Sequence, residues 1–208
     1  MKGLLTKEFI VLFKNNKYQL FLILCFAVLG IGLKEIPYIL LIPVLMPMLI
    51  VQGLALDETS KWDKYSICFP ADKKLIVSSK YVMVIIAALF SAVIITVSAV
   101  ILKMRNAISV EDMKMYIITA SAVSLIMPSM VLPFDFKFGV AKGKVITYIC
   151  TAFLTVIVAA IFTKGDGPSI FKNLTGSVQP FLLLFGCSAA IFAVSWFISA
   201  KAYESREI

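Results

Sequence analysis

Long apolar runs closed at both ends by charge govern what this chain can become. They fall at about 18–33, 36–56, 73–102, 115–134, 145–163 and 178–200. The third run proper opens at Tyr81, and its helix can reach back to Lys73 and project beyond the membrane. Runs of this length without charge are transmembrane helices, because a helix rises 1.5 Å per residue and the bilayer core is roughly 30 Å thick. The chain is 61% hydrophobic with a mean hydropathy of +0.97, whereas in a soluble domain roughly half the residues are apolar. The expected fold is all-α and integral to the membrane. It is one transmembrane domain over 1–208 with six spans, an N-terminal amphipathic helix at 1–17 and a charged loop at 57–72.

Local signals refine the spans. The run at 18–33 is short, about 24 Å as a helix, and Lys17 and Lys34 can snorkel outward to complete it. Pro37 suits a helix start, while Pro43 and Pro47 predict a bent or locally broken second span. Pro128 and Pro133 stand near the end of the fourth. Residues 1–17 place Leu5, Phe9, Leu12 and Phe13 at helical spacing with Lys2, Lys7 and Lys14 at the edges, as in a helix lying along a membrane surface. The N-terminal apolar run lacks a small-residue cleavage signature, so it reads as a retained first span. The basic excess, 20 Lys and Arg against 12 Asp and Glu, sits beside the spans, which points to topology and headgroups and away from nucleic acid. With the N-terminus inside, 14 of the 20 cations are cytoplasmic. Both termini and the segments Asp57 to Lys80 and Asp135 to Lys144 are then cytoplasmic.

Several chemistries are missing. The chain has no histidine, which removes the commonest general base and metal ligand. Cys25, Cys68, Cys150 and Cys187 form no CxxC pair, so neither a disulfide framework nor a metal knuckle is expected. All charged residues fall between the six spans as drawn from Tyr81 onward for the third. That argues against an ion-coupled transporter, a charged filter or an intramembrane hydrolase. GVAKGKV, from Gly139, is one residue short of a phosphate-binding loop and lacks the Ser or Thr after Lys. Gly139 and Gly143 instead suit a tight turn. Small residues recur at packing spacing, with Ala88 and Ala92 followed by Thr96 in the third span and Gly186 and Ala190 in the sixth, and they are candidate helix-contact positions.

The longest charged interruption is DETSKWDKYSICFPADKKLIVSSKY, from Asp57 to Tyr81. Thr59 or Ser60 can cap a short helix ended by Pro70. Trp62, Tyr65 and Phe69 share one face of it. Asp72, Lys73 and Lys74 look like a cap and basic collar for the next span. Read locally, the aromatic face is either an interfacial helix on headgroups or a docking surface for another protein.

This stretch resembles the first cytoplasmic loop of small bacterial type-2 ATP-binding-cassette (ABC) exporter permeases. Glu58, Trp62, Tyr65, Pro70, Lys73, Lys74, Lys80 and Tyr81 match their acidic residue, Trp, aromatic, Pro, basic pair and Lys-Tyr. LPFDFKFGVAKGK is similar to their second loop, with Pro133, Phe136, Lys137, Phe138, Gly139, Lys142, Gly143 and Lys144 carrying the match. The ends MKGLLTKEF and ISAKAYESREI are similar too. The resemblance implies a six-helix permease with an elbow helix. A second copy or paralogue pairs with it, and each permease docks on a separate ATP-hydrolysing subunit. The chain itself would be no enzyme and hold no cofactor, with ATP and Mg on the ATPase. Asp57, Glu58, Lys61, Trp62, Tyr65 and Phe69 would form the coupling helix, with the charged residues setting register at its rim. Phe136, Lys137, Phe138 and Lys142 would mark the second loop. Family relatives include exporters of amphipathic peptide toxins and bacteriocins, which makes amphipathic or hydrophobic cargo the expectation, in a bacterial plasma membrane. A membrane anchor or scaffold subunit and an uncoupled pore are the alternative readings.

Overall fold

A computed structural model of the full chain describes residues 2–34, 36–62, 72–106, 108–140 and 179–205, with 145, 148–149, 152–153 and 155–156. Among the described residues the regular structure is helical. We number the elements α1 (Lys2–Asn15), α2 (Lys17–Leu33), α3 (Ile36–Leu40), α4 (Ile42–Thr59), α5 (Lys73–Met104), α6 (Val110–Phe138) and α7 (Gln179–Glu204). Four stretches of helix are long and apolar enough to cross a membrane: Pro37–Thr59, Lys73–Met104, Met113–Phe138 and Leu182–Glu204. The pair α1 and α2, bent by 70° at Asn16, makes a fifth if it is counted as one span. The expected span at 145–163 lies largely outside the described residues.

The prolines act where backbone donors run out. Pro43 offers no N–H to the carbonyl of Ile39, and regular helix lapses at Leu41 between α3 and α4. The chain recovers at once, because Leu45 N–H reaches Leu41 O at 3.0 Å. Pro47, Pro128 and Pro133 are carried inside continuous helices, so the expected break is confined to one residue.

The helices pack around α5, which touches α1, α2, α3, α4, α6 and α7. Its inward positions Ala87, Ser91, Ile95 and Ala99 follow helical spacing and are buried. The expected contact residues Ala88 and Ala92 flank that seam and are half-buried. In α7 the buried line is Ser188, Ser195, Ser199 and Tyr203, whereas Gly186 and Ala190 face outward. A methyl group added at Gly186 would meet no atom within 4 Å, so Gly186 is in no close helix contact among the described residues.

The N-terminal helix packs on the bundle along one side. Leu5, Glu8 and Leu12 fall on the side turned to the bundle, and Glu8 is buried, 6% exposed. Phe9 and Phe13 lie with ring centres 4.8 Å apart, tilted by 41°, and remain half-exposed. α1 therefore packs on α4 and α5. Asn16 and Gln19 pin the corner between α1 and α2, donating from their side-chain amides to Leu49 O (3.4 Å) and Leu45 O (3.3 Å) of α4.

Candidate functional site

Four charged side chains from three helices meet at the end of the bundle that carries residues 57–80. Lys80, in the third turn of α5, is 2% exposed. Its ammonium donates to Glu8 Oε2 of α1 at 2.6 Å and to Asp57 Oδ2 of α4 at 2.5 Å. Lys7 closes the ring by pairing with the other oxygen of Asp57 and, at 3.4 Å, with Glu8 Oε1. Two ammonium groups thus face two carboxylates, and the knot is neutral. Charges buried this deeply persist only when paired and hydrogen-bonded, and removing one partner costs about 3–5 kcal/mol.

The knot reaches the surface at Trp62. The Lys7 ammonium lies 4.1 Å from the centre of the Trp62 ring, a cation–π contact. Glu58 extends the connection to α6. Gly139 takes a left-handed φ of 81°, which glycine adopts without a Cβ penalty and which ends α6. Its N–H closes on Asp135 O at 3.0 Å, and the next N–H, of Val140, donates to Glu58 Oε2 at 2.8 Å. Between these groups lies a cavity of about 30 Å³ bounded by Asp57, Glu58, Trp62, Lys80, Asp135 and Tyr203 among others, enough for a water molecule. Asp135 lines it and is 2% exposed. Neither of its oxygens finds a donor among the described residues.

Directly beside the knot, Tyr81 serves another seam. Lys80 and Tyr81 are consecutive, so about 100° of helix rotation separates them. The Tyr81 hydroxyl hydrogen-bonds to Ser195 Oγ and Ser199 Oγ of α7, both at 2.7 Å. Ser195 donates its only proton to Ser129 O of α6 at 2.7 Å. The directions follow by elimination: Ser199 donates to Tyr81, Tyr81 to Ser195, and Ser195 to Ser129. The last acceptor is special, since Pro133 stands four residues on and has no N–H for the Ser129 carbonyl. Ser195 supplies the missing donor.

These placements revise the sequence reading. Thr59 and Ser60 stand at the end of one helix, and the short helix expected beyond them lies largely outside the described residues. Both finish α4, with Thr59 Oγ1 donating to Leu56 O at 2.9 Å and Ser60 Oγ to Asp57 O at 3.1 Å. Asp57 is 6% exposed and bonded inside the chain, so it is no rim charge. Glu58 likewise spends an oxygen on Val140. Lys61 is exposed, with a left-handed φ of 54°, and Trp62 is half-buried. Tyr65 and Phe69 lie outside the described residues.

The second loop begins later than expected, because α6 runs through Phe138. Phe136 belongs to the core, edge-on to Tyr203 at 5.5 Å. Lys137 and Phe138 are exposed, the ammonium 5.2 Å from the Phe138 ring centre. Lys142 lies outside the described residues. The absence of ionisable groups from the apolar helices also needs correction: α4, α5 and α6 continue past the drawn boundaries and carry Asp57, Lys80 and Asp135 into buried positions. Lys7, Glu8, Asp135 and the serines Ser129, Ser195 and Ser199 were missed as site residues. A lone acid at position 8 beside Lys7, and the Lys80-Tyr81 pair, were the available signals.

Long apolar helices that converge on a polar knot beneath a loop define a multi-pass membrane protein with an internally coupled end. The profile of the ABC-2 family transporter proteins matches residues 3–204, and the chain belongs to that family. No curated protein and no solved structure matches it. Membership makes it an ABC permease subunit, the membrane part of a transporter that works with an ABC ATPase and is generally not catalytic itself.

Proposed function

We propose that this chain is one permease subunit of a bacterial ABC exporter, moving amphipathic or hydrophobic cargo such as a peptide, toxin or drug outward. It crosses the plasma membrane six times with both termini cytoplasmic, uses α1 as its elbow helix, and pairs with a second copy or paralogue. Lys61, Trp62, Tyr65 and Phe69 dock on the ATPase, which holds ATP and Mg. Lys137, Phe138 and Lys142 lie in the second contact region. Asp57, Glu58 and Phe136 support these surfaces from within.

The observation that carries this reading is the position of Trp62 above the knot. A displacement of Trp62 is passed to α1 through Lys7, to α4 through the chain, to α5 through Asp57 and Lys80, and to α6 through Glu58 and Val140. That is the connectivity a coupling element needs if an ATPase closing beneath the membrane is to move several spans together. Aromatic anchors are also the residues that carry most of the energy at protein interfaces.

Replacing Trp62 and Tyr65 together by Ala is expected to uncouple ATP hydrolysis from transport while the helices remain folded. The check is hydrolysis and cargo efflux measured side by side in reconstituted complexes. Unchanged stoichiometry between the two in the double variant sinks the docking assignment.

A further inference from the structure

A groove runs between α5 and α7 on the outside of the bundle. It encloses about 380 Å³ and is lined by Tyr81, Val82, Ile85, Phe192, Trp196 and Phe197 among others. Its polar edge is Ser78, whose Oγ accepts the Trp196 indole N–H at 3.2 Å. One helical turn further toward the charged end stand Lys74 on α5 and Lys201 on α7, both exposed. Lys73 joins them, donating to Glu204 O at 3.4 Å, and Lys74 pairs with the Glu204 carboxylate at 3.4 Å. Two of the three lysines are thus tied to Glu204, Lys73 at its backbone carbonyl and Lys74 at its carboxylate. The result is an aromatic, apolar trough with a cationic collar at one end and a tryptophan at the depth where the two meet.

That profile matches one chemistry. Indole rings favour the membrane interface, and basic pockets between membrane helices bind acidic headgroups. We propose that this groove binds one anionic phospholipid, with an acyl chain along Val82, Ile85 and Phe197 and the phosphate on Lys74 and Lys201. A second copy of the chain is the poorer occupant, because a two-fold contact sets the same patch against itself and would bring the lysine collars together. The other large cavity, about 330 Å³ between α1, α2, α4 and α5, is lined by apolar side chains alone and offers a headgroup nothing. The proposal is independent of how the chain engages an ATPase.

The chain has two tryptophans, so Trp62→Phe leaves Trp196 as the sole indole reporter. The full-length variant is placed in phosphatidylcholine vesicles, and Trp196 fluorescence is followed as brominated phosphatidylglycerol or brominated phosphatidylcholine is introduced. Lysine at an anionic surface is worth roughly five-fold in affinity. Allowing for the share taken by Glu204, quenching should favour phosphatidylglycerol by about ten-fold. Lys74→Gln with Lys201→Gln should bring the two lipids to parity, and neither exposed substitution disturbs the core. Equal quenching in the parent would mean ordinary annular lipid and would overturn the site. A preference that survives the lysine double variant would also overturn it. So would Trp196 shielded from both lipids while cross-linking joins copies through α7, because the groove would then be a protein interface.

Discussion

The two seams that meet on α5 are fastened by different chemistry. Between α1, α4 and α5 the links are charges, with Lys7 and Lys80 facing Glu8 and Asp57. Between α5, α6 and α7 they are hydroxyls, running from Ser199 through Tyr81 and Ser195 to the Ser129 carbonyl. Adjacent residues start the two seams, so the difference is one of partners and not of depth. Charge pairs are hard to break one at a time but lose their partner entirely when they part. Hydroxyl chains are individually weak, and their members can exchange acceptors as helices slide. The charged seam therefore suits a unit that moves as one piece, α1 with the ends of α4 and α5. The hydroxyl seam suits a joint along which α7 and α6 adjust. At the far end of α5, Arg105 donates to Ile31 O of α2 at 3.3 Å, and Ile95 and Leu102 are buried in the apolar core.

The largest effect should come from the charged seam. Lys80→Met leaves Glu8 and Asp57 with Lys7 as their shared counter-charge in a buried site, and a loss of about 3–5 kcal/mol is expected. It would appear as a large fall in the unfolding midpoint in mild detergent. Adding Glu8→Gln to Lys80→Met removes the stranded charge, leaves Lys7 paired with Asp57 and should recover part of the loss. If Lys80→Met alone is silent, the knot is not a fastening and the contrast between the seams collapses.

Ser195→Ala tests the other seam and should cost less, about 1–2 kcal/mol, as hydrogen bonds between membrane helices do. The variant strips the Ser129 carbonyl of its donor. Its cost should shrink when Pro133→Ala is added, because an alanine in place of the proline brings a backbone N–H to the same carbonyl. A double-mutant cycle reads this coupling directly. Strict additivity of the two substitutions would show that Ser195 does not compensate for the proline.

The residues that hold these seams explain what was readable beforehand. Apolar runs and prolines placed α2 to α7 within a few residues, because helix formation and breakage depend on neighbours along the chain. Gly139 was legible as a turn residue, and it ends α6 at a left-handed φ. The charged seam was not legible. Lys80 lies 72 positions from Glu8 and 23 from Asp57, and no local window joins them. Asp57 and Lys80 looked like boundary charges, since each sits where an apolar run begins or ends. Ser195 was equally silent, since a serine in a span reads as a packing residue until the opposing helix is seen to lack a donor.

The smallest effect sharpens the comparison within a single residue type. Asp57 and Asp135 are both aspartates, both buried and both near the same end of the bundle. Asp57 has a lysine on each oxygen. Asp135 has no donor on either among the described residues, and Glu58 borders the same cavity. Asp57→Asn should therefore destabilise, because two ammonium groups lose a charge they share. Asp135→Asn exchanges a carboxylate for a neutral amide of the same shape beside an acidic neighbour. It should be neutral or raise stability by up to about 1 kcal/mol. Paired melting curves of the two variants against the parent decide the matter, with opposite or unequal shifts expected. If Asp135→Asn loses as much as Asp57→Asn, its carboxylate is paired in the folded chain, and the charged seam extends to α6.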